Sequence, residues 1–400
     1  MKFSPGRPGH HRHPGHYRRP ALTALSAIVL FLFAAGCAAA QGTGAATADT
    51  TNDGNAAVRA VAVVDGLSRP WSMTFLPDGD MLVTERTGRL LRIDPEGSAE
   101  LRTVTGLPSI AVSGQGGLLD VIPAPDFQES REIFFSYVTQ RSEGLGTAVA
   151  RATLNGTALT NLETIFVMEG PAYGTRHFGS RLAFLPDDTL LATIGDRGAR
   201  DNAQDLGHHA GTTIRIARDG SVPAGNPFVD TSGALPAIYS FGHRNAQGMT
   251  IHPETGEVWQ HEHGPRGGDE INIVQAGRNY GWPVISYGAE YGSGEPVGEG
   301  TAKPGMEQPV LHWTPSIAPS GMTFYTGPHF PQWQGDLFVG ALVQQHLRRV
   351  ELDGTDVIDQ EILFRNSLGR VRDVVQGPDG YLYLIVDSGN ATLYRLEPGE

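Results

Sequence analysis

The sequence predicts an all-β protein: one six-bladed β-propeller of four-stranded antiparallel blades, preceded by a leader and a tether. Three observations carry this expectation. One hairpin pattern returns six times, at intervals of 46 to 73 residues. The 400 residues include Gly 52 and Pro 27 with 40% hydrophobic content, which suits many short strands joined by tight turns around a core. A strand-like run, Ala57–Leu67, stands ahead of the first hairpin and is placed to close a ring by pairing with the last blade.

Residues 1–36 read as an export signal. Lys2, Arg7, Arg12, Arg18 and Arg19 make a basic start without an acid, and the apolar run Ala21–Gly36 follows. That run is short for a membrane span and typical of a signal sequence. The histidines His10, His11, His13 and His16 fall in this leader and read as solvated. Cys37, the only cysteine, stands directly after Ala34-Ala35-Gly36, which resembles the bacterial lipoprotein cleavage box, although that box more often has Leu where Ala34 stands. The expectation is a lipid anchor on Cys37, on the outer face of the cytoplasmic membrane or in the cell envelope. The alternative is a cleaved signal followed by an incidental cysteine. A single cysteine excludes an intrachain disulfide. Residues 37–57 are mostly Ala, Gly, Thr, Asn and Asp and read as a flexible tether, which leaves 58–400 as the folded body.

The formal net charge is −13, and without the basic leader the body is more acidic still. A nucleic-acid binder shows a basic face, so that class is excluded.

The six hairpins are Met73–Arg86, Leu119–Val138, Leu182–Asp196, Met249–His263, Met322–Leu342 and Val374–Ser388. In each, alternating apolar residues run into a Pro-, Asp- or Gly-rich turn and out into a second alternating run, the signature of paired antiparallel strands. A β-sandwich with similar turns is the alternative, but it gives less reason for the same hairpin to return six times. In a propeller the site lies at one end of the central channel, built from the loops of several blades.

The polar clusters beside these hairpins are Ser113–Gly117, Thr175–Leu182, Gly195–Gly198, Gly242–Gly248, His263–Asn272 and Gly369–Asp373. His177 is a candidate general base, since imidazole titrates near neutrality. Asp196, at the far end of the same hairpin, is a candidate partner for it, or else a turn cap. Arg244, Arg370 and Arg372 each stand beside a strand end in an acidic protein. Together they suit a polyanionic ligand, and singly they suit surface salt bridges. His261 and His263 would share a strand face as half of a Zn or Cu site, with no third ligand evident. The turn at Gly264-Pro265 offers carbonyls and Glu270 a carboxylate, a donor set that suits calcium.

At these residues the chain resembles the soluble pyrroloquinoline quinone (PQQ)-dependent aldose sugar dehydrogenases of the glucose/sorbosone dehydrogenase family, over about Val61 to Leu396. GHRNAQG, HGPRGGDEIN and NYGW, in that order and spacing, carry the likeness. The resemblance implies a six-bladed propeller that oxidises aldoses at C1 to lactones with PQQ and Ca2+. It implies that His177 is the base and Asp196 its supporting acid. Gln115, Arg244, Asn245, Tyr291, Arg370 and Arg372 match cofactor contacts, as do Ala341, Leu342, Val343 and Val371 beside them. Gly264 and Pro265 match carbonyl ligands of a cofactor calcium, and Glu270 and Tyr280 match a second calcium site. Many members of the family carry a Lys where this chain has Val343, so one charged cofactor contact is missing. The expected partners are an aldose and an electron acceptor that the sequence does not name, with no nucleic acid, no membrane contact beyond the anchor, and a monomeric or dimeric state. Two other readings are a calcium-dependent lactonase or esterase, with a carboxylate-rich channel, and a propeller that only binds.

Overall fold

The turn at Pro77-Asp78-Gly79-Asp80 shows how each repeat reverses direction. Gly79 sits at φ 91°, the left-handed region that suits glycine. Its N–H donates to the Leu76 carbonyl at 3.0 Å, while the Leu76 N–H donates to the Asp80 carbonyl at 2.7 Å. Asp188 holds the same place in the third repeat at φ 67°, a conformation that Asp tolerates better than most residues.

The computed structural model describes residues 47–50, 58–170 and 172–399. Cys37, the leader and all of the proposed tether except Thr47–Thr50 lie outside the described residues. Six antiparallel sheets form the body, each beginning at one of the repeated hairpins. Blade 1 comprises Pro70–Phe75, Met81–Glu85, Arg89–Ile93 and Arg102–Val104. Blade 2 comprises Leu118–Pro123, Glu132–Arg141, Gly144–Asn155 and Ala158–Val167. Blade 3 comprises Leu182–Phe184, Leu190–Ile194, Thr212–Ile216 and Ile238–Phe241. Blade 4 comprises Gly248–Ile251, Val258–Glu262, Asp269–Val274 and Leu311–Trp313. Blade 5 comprises Pro319–Phe324, Leu337–Ala341, His346–Asp353 and Asp356–Leu363. Blade 6 comprises Val371–Gln376, Leu382–Val386 and Ala391–Pro398 and takes its fourth strand, Val58–Leu67, from the start of the body. Val58 lies opposite Pro398 and Leu67 opposite Ala391, so the ring closes as the sequence predicts, and Thr47–Thr50 adds a further strand outside.

The strict alternation expected of the hairpins breaks down in their second strands. Met81–Glu85, Leu190–Ile194, Val258–Glu262, Leu337–Ala341 and Leu382–Val386 are buried at every position. A strand in the middle of a blade is covered on both faces by the neighbouring blades, so neither face meets water. The core is accordingly six wedges, one between each adjacent pair of blades. Leu82 and Leu90 meet Val121 and Phe135 in one wedge; Phe338 and Leu347 meet Val374 and Leu384 in another.

A buried ion network links the innermost strands. Arg181 Nη1 lies 3.2 Å from Asp120 Oδ1, and Arg181 Nη2 lies 3.2 Å from Asp373 Oδ1. Ser72 Oγ donates to Asp120 at 2.5 Å, the Met73 N–H donates to Asp373 at 3.0 Å, and Arg181 Nε donates to the Gln247 carbonyl at 2.9 Å. Blades 1, 2, 3, 4 and 6 are thus joined through three charged side chains. Among the described residues no helix is long and apolar enough to cross a membrane.

Candidate active site

Strand register brings one end of four of the hairpins to the same end of the channel. Pro70 pairs with Glu85, Gly248 with His261, Pro319 with Ala341 and Val371 with Val386. The residues just beyond these pairs therefore converge: Arg86, His263, Leu342 and Asp387 after the second strands, Gln247, Ala318 and Arg370 before the first. All of them line one cavity of about 320 Å³, together with Gln115 and Arg372.

That cavity is basic. Arg86, Arg370 and Arg372 face a single carboxylate, Asp387. Asp387 Oδ2 stays 3.5 Å from Arg370 Nε and 3.6 Å from Arg372 Nη2, so it neutralises neither fully. Arg372 donates to Gln247 Oε1 at 2.8 Å and Arg370 to the Leu342 carbonyl at 3.1 Å. Burial with so little compensation pushes the Arg372 guanidinium down to about 10. A guanidinium cluster of this kind is stabilised by an anion with several carboxylates.

His177 and Asp196 form a buried pair beside this cavity. His177 Nδ1 and Asp196 Oδ1 are 2.7 Å apart. The backbone N–H of His177 donates to Gln115 Oε1 at 2.7 Å, which joins the base to a side chain of the cavity wall. His177 has φ 57°, and a Cβ on Gly195 would lie 2.1 Å from its carbonyl oxygen. Glycine at 195 is what lets the two loops approach. Burial is the foremost cause that lowers the His177 pKa, outweighing the pull of Asp196, so the ring is a neutral base at neutral pH. Burial raises the Asp196 carboxyl, but the bonds from His177 and Gly198 outweigh it and hold the group below its usual range.

A smaller pocket, of about 10 Å³, adjoins through His263 and is lined by Arg244, Glu262, Gly264, Glu270, Tyr280 and Trp282, among others. Arg244 Nη1 donates to the carbonyls of His263 at 3.0 Å and Gly264 at 2.9 Å. Burial, then the nearby Glu262, push the Glu270 carboxyl well above its ordinary range. The Tyr280 hydroxyl donates to the Ile273 carbonyl at 2.8 Å and accepts from the Gln275 N–H at 2.8 Å. Pro265 follows Gly264 in the chain and packs near Gly288.

The remaining expected residues are placed as follows. Asn245 is fully buried; its Oδ1 accepts the Gly179 N–H at 3.1 Å and its Nδ2 has no partner among the described residues. Ala341 and Val371 are buried in the wedges of blades 5 and 6, whereas Tyr291 and Val343 are exposed at 67% and 45%. The half Zn or Cu site gains no third ligand: among the described residues no three His, Cys, Asp or Glu side chains could hold a metal ion. Instead His261 Nε2 bonds the Ser320 carbonyl and His263 Nε2 bonds the Pro319 carbonyl at 2.5 Å. The sequence reading missed Arg86, Gln247 and Asp387 in the cavity, Trp282 beside Asp196, and the Asp120–Arg181–Asp373 network.

Fold and site together define a six-bladed propeller with a basic ligand cavity and a histidine–aspartate pair at one end of its channel. The family model for glucose / sorbosone dehydrogenase matches residues 67–395. The aldose sugar dehydrogenase YliI of Escherichia coli (strain K12) is 41% identical over 348 residues, covering 86% of this chain and 94% of that protein. The apo-form crystal structure of the soluble aldose sugar dehydrogenase from Escherichia coli superposes with a TM-score of 0.83 at 40% identity, over 86% of this chain and 100% of that one. A PQQ-bound aldose sugar dehydrogenase from Streptomyces coelicolor gives a TM-score of 0.71 at 27% identity, over 88% and 99%. The chain belongs to the glucose/sorbosone dehydrogenase family.

Proposed function

We propose that this protein is a PQQ- and calcium-dependent aldose dehydrogenase that oxidises the sugar C1 hydroxyl to a lactone. The observation that carries this reading is the buried His177–Asp196 pair set against a cavity with three arginines and one carboxylate. PQQ fits such a cavity because it is a tricarboxylate, and when bound it supplies the electrophilic quinone carbonyl that accepts a hydride. Arg86, Arg370, Arg372 and Gln115 line the space it would take.

His177 takes the proton of the anomeric hydroxyl, and Asp196 stabilises the imidazolium that results. With Nδ1 bonded to Asp196, Nε2 is the nitrogen left free to act as base. A calcium ion beside the cofactor would draw on the carbonyls of Gly264 and Pro265. A second cation would draw on the carboxylates of Glu262 and Glu270 in the small pocket that Tyr280 also lines.

Three guanidinium groups against one carboxylate disfavour the lactonase reading, which calls for a carboxylate-rich channel. The test is reconstitution of purified protein with PQQ and Ca2+, followed by dye reduction with a panel of aldoses. Sugar-dependent reduction in the wild type, lost in His177→Asn, supports the proposal. No reduction by any aldose at saturating PQQ overturns it.

A further inference from the structure

Asp196 is held by a third group that comes from a different blade. Its Oδ1 accepts from His177 Nδ1 and from the Gly198 N–H, both at 2.7 Å, while its Oδ2 accepts from the indole Nε1 of Trp282 at 2.9 Å. His177 and Asp196 both belong to loops flanking the first hairpin of blade 3, whereas Trp282 lies beyond the third strand of blade 4. The indole is 6% exposed and its position is fixed independently of Asp196. Its backbone N–H donates to the Gly242 carbonyl at 2.9 Å, and its carbonyl accepts from Gln204 Nε2 at 2.7 Å. The guanidinium carbons of Arg244 and Arg200 lie 5.3 Å and 5.6 Å from the ring centre. Arg200 is itself held by a two-pronged bond to Glu290, at 2.5 and 3.1 Å.

Packing accounts for a large ring at this buried position, but not for where its one polar group points. What distinguishes Trp282 is a single N–H, aimed at the carboxylate oxygen that His177 does not use. We propose that Trp282 is a positioning residue of the catalytic pair: by holding Asp196 Oδ2, it keeps Oδ1 facing His177 Nδ1, so that Nε2 is presented as the base. The bond also has an electrostatic consequence. A donor on a carboxylate spreads its negative charge and weakens its hold on the imidazole proton. Removing that donor makes Asp196 a stronger partner for the imidazolium, and the His177 titration rises. The other charged groups facing the pair are Arg244, Arg176, Arg197 and Arg200; Arg244 and Arg200 pack on the ring itself, and a benzothienyl side chain in its place keeps that surface for them.

The inference rests on the proposed role of His177, but its test does not need turnover. In cofactor-free protein labelled with 15N-histidine, the His177 titration is followed by NMR in wild type and Trp282→Phe. The same pair is then compared after reconstitution for kcat, KM and the acid limb of kcat/KM. A site-specific benzothienylalanine at position 282 keeps the fused ring and lacks the N–H, which covers the case where the Phe variant fails to fold. The expected result is an upward move of the His177 titration by about half a unit or more, and an acid limb that moves with it. With it comes a fall in kcat of about tenfold at little change in KM, the scale of one lost charge-assisted hydrogen bond. A His177 titration that stays in place or moves down overturns the inference, even if activity falls, because Asp196 is then not held through the Trp282 N–H as argued. Absence of sugar oxidation in the wild type would remove the proposed function and leave the titration result to judge the Trp282–Asp196 bond separately.

Discussion

Gln115 and His177 meet across two blades, the side-chain carbonyl of the first accepting the backbone N–H of the second at 2.7 Å. Gln115 also lines the basic cavity, so one side chain serves both the ligand wall and the loop of the base. Gln115→Ala is therefore expected to weaken PQQ binding and to lower kcat, each by about fivefold to tenfold, the scale of one hydrogen bond. Fluorescence titration with PQQ, read partly through Trp71 in the cavity wall, measures the first effect, and steady-state kinetics at saturating PQQ measures the second. A change in only one of the two contradicts the double role.

Arg372 and Arg370 are unequal. Arg372 is buried and bonded to Gln247, whereas the Arg370 side chain is 43% exposed and screened by water. Arg372→Gln is expected to reduce PQQ affinity by about tenfold to a hundredfold and Arg370→Gln by less. Calorimetric titration of each variant ranks them, and the reverse order would count against the placement of the ligand carboxylates.

Arg181 is the cation between Asp120 and Asp373 in the channel network that joins five blades. Burial already pushes the Asp373 carboxyl above its usual range. Arg181→Met would leave two buried carboxylates uncompensated and is expected to cost about 3–5 kcal/mol of stability. Urea denaturation followed by tryptophan fluorescence reads this, and a loss under about 1 kcal/mol would argue against the network as a fastener of the ring.

His346 is fully buried. Burial, ahead of repulsion by Arg348, lowers its pKa to about 4. The unfolded histidine binds a proton near pH 6.5, so stability is complete above that value and falls as the pH drops from 6.5 towards 4. His346→Leu removes this loss and is expected to be more stable than wild type at pH 5 by about 2 kcal/mol relative to their difference at pH 7.5. Denaturation curves at the two pH values check it; parallel pH dependences would rule it out.

Cys37 is proposed as the lipid-bearing residue of an exported protein. Expression of full-length wild type and Cys37→Ser in a bacterial host is expected to move the protein from the membrane fraction to the soluble fraction. Wild-type protein should also take up labelled palmitate. Equal partition of both forms would make the cysteine incidental.

The fold was largely legible because each repeat announces itself locally. Leu76–Asp80 and Leu185–Thr189 close with the same pair of backbone bonds, and turn chemistry of that kind is written in four residues. Ala57–Leu67 could be read as the closing strand because a ring must end somewhere. The site was legible in part. His177, Asp196, Gln115, Arg370 and Arg372 stand in unusual polar clusters, and the fold gathers them. Arg86 was missed because TER at the end of an alternating strand looks like any charged strand end. Its signal was positional: Arg86, Asp196, His263 and Leu342 are the last residues of four different hairpins, and a ring places such ends together. Trp282 stands in the NYGW motif, but its bond to Asp196 gave no signal, since it spans 86 residues and depends on how two blades sit side by side.

The central claim is that His177 removes the sugar proton beside a bound quinone cofactor. Its most direct test is anaerobic rapid mixing of the PQQ- and calcium-loaded protein with aldose, with no dye present, following the absorbance of the cofactor itself. The account predicts reduction in the wild type and reduction slower by about a hundredfold or more in His177→Asn, with PQQ still bound in both. Equal rates in the two proteins, both loaded, would contradict it.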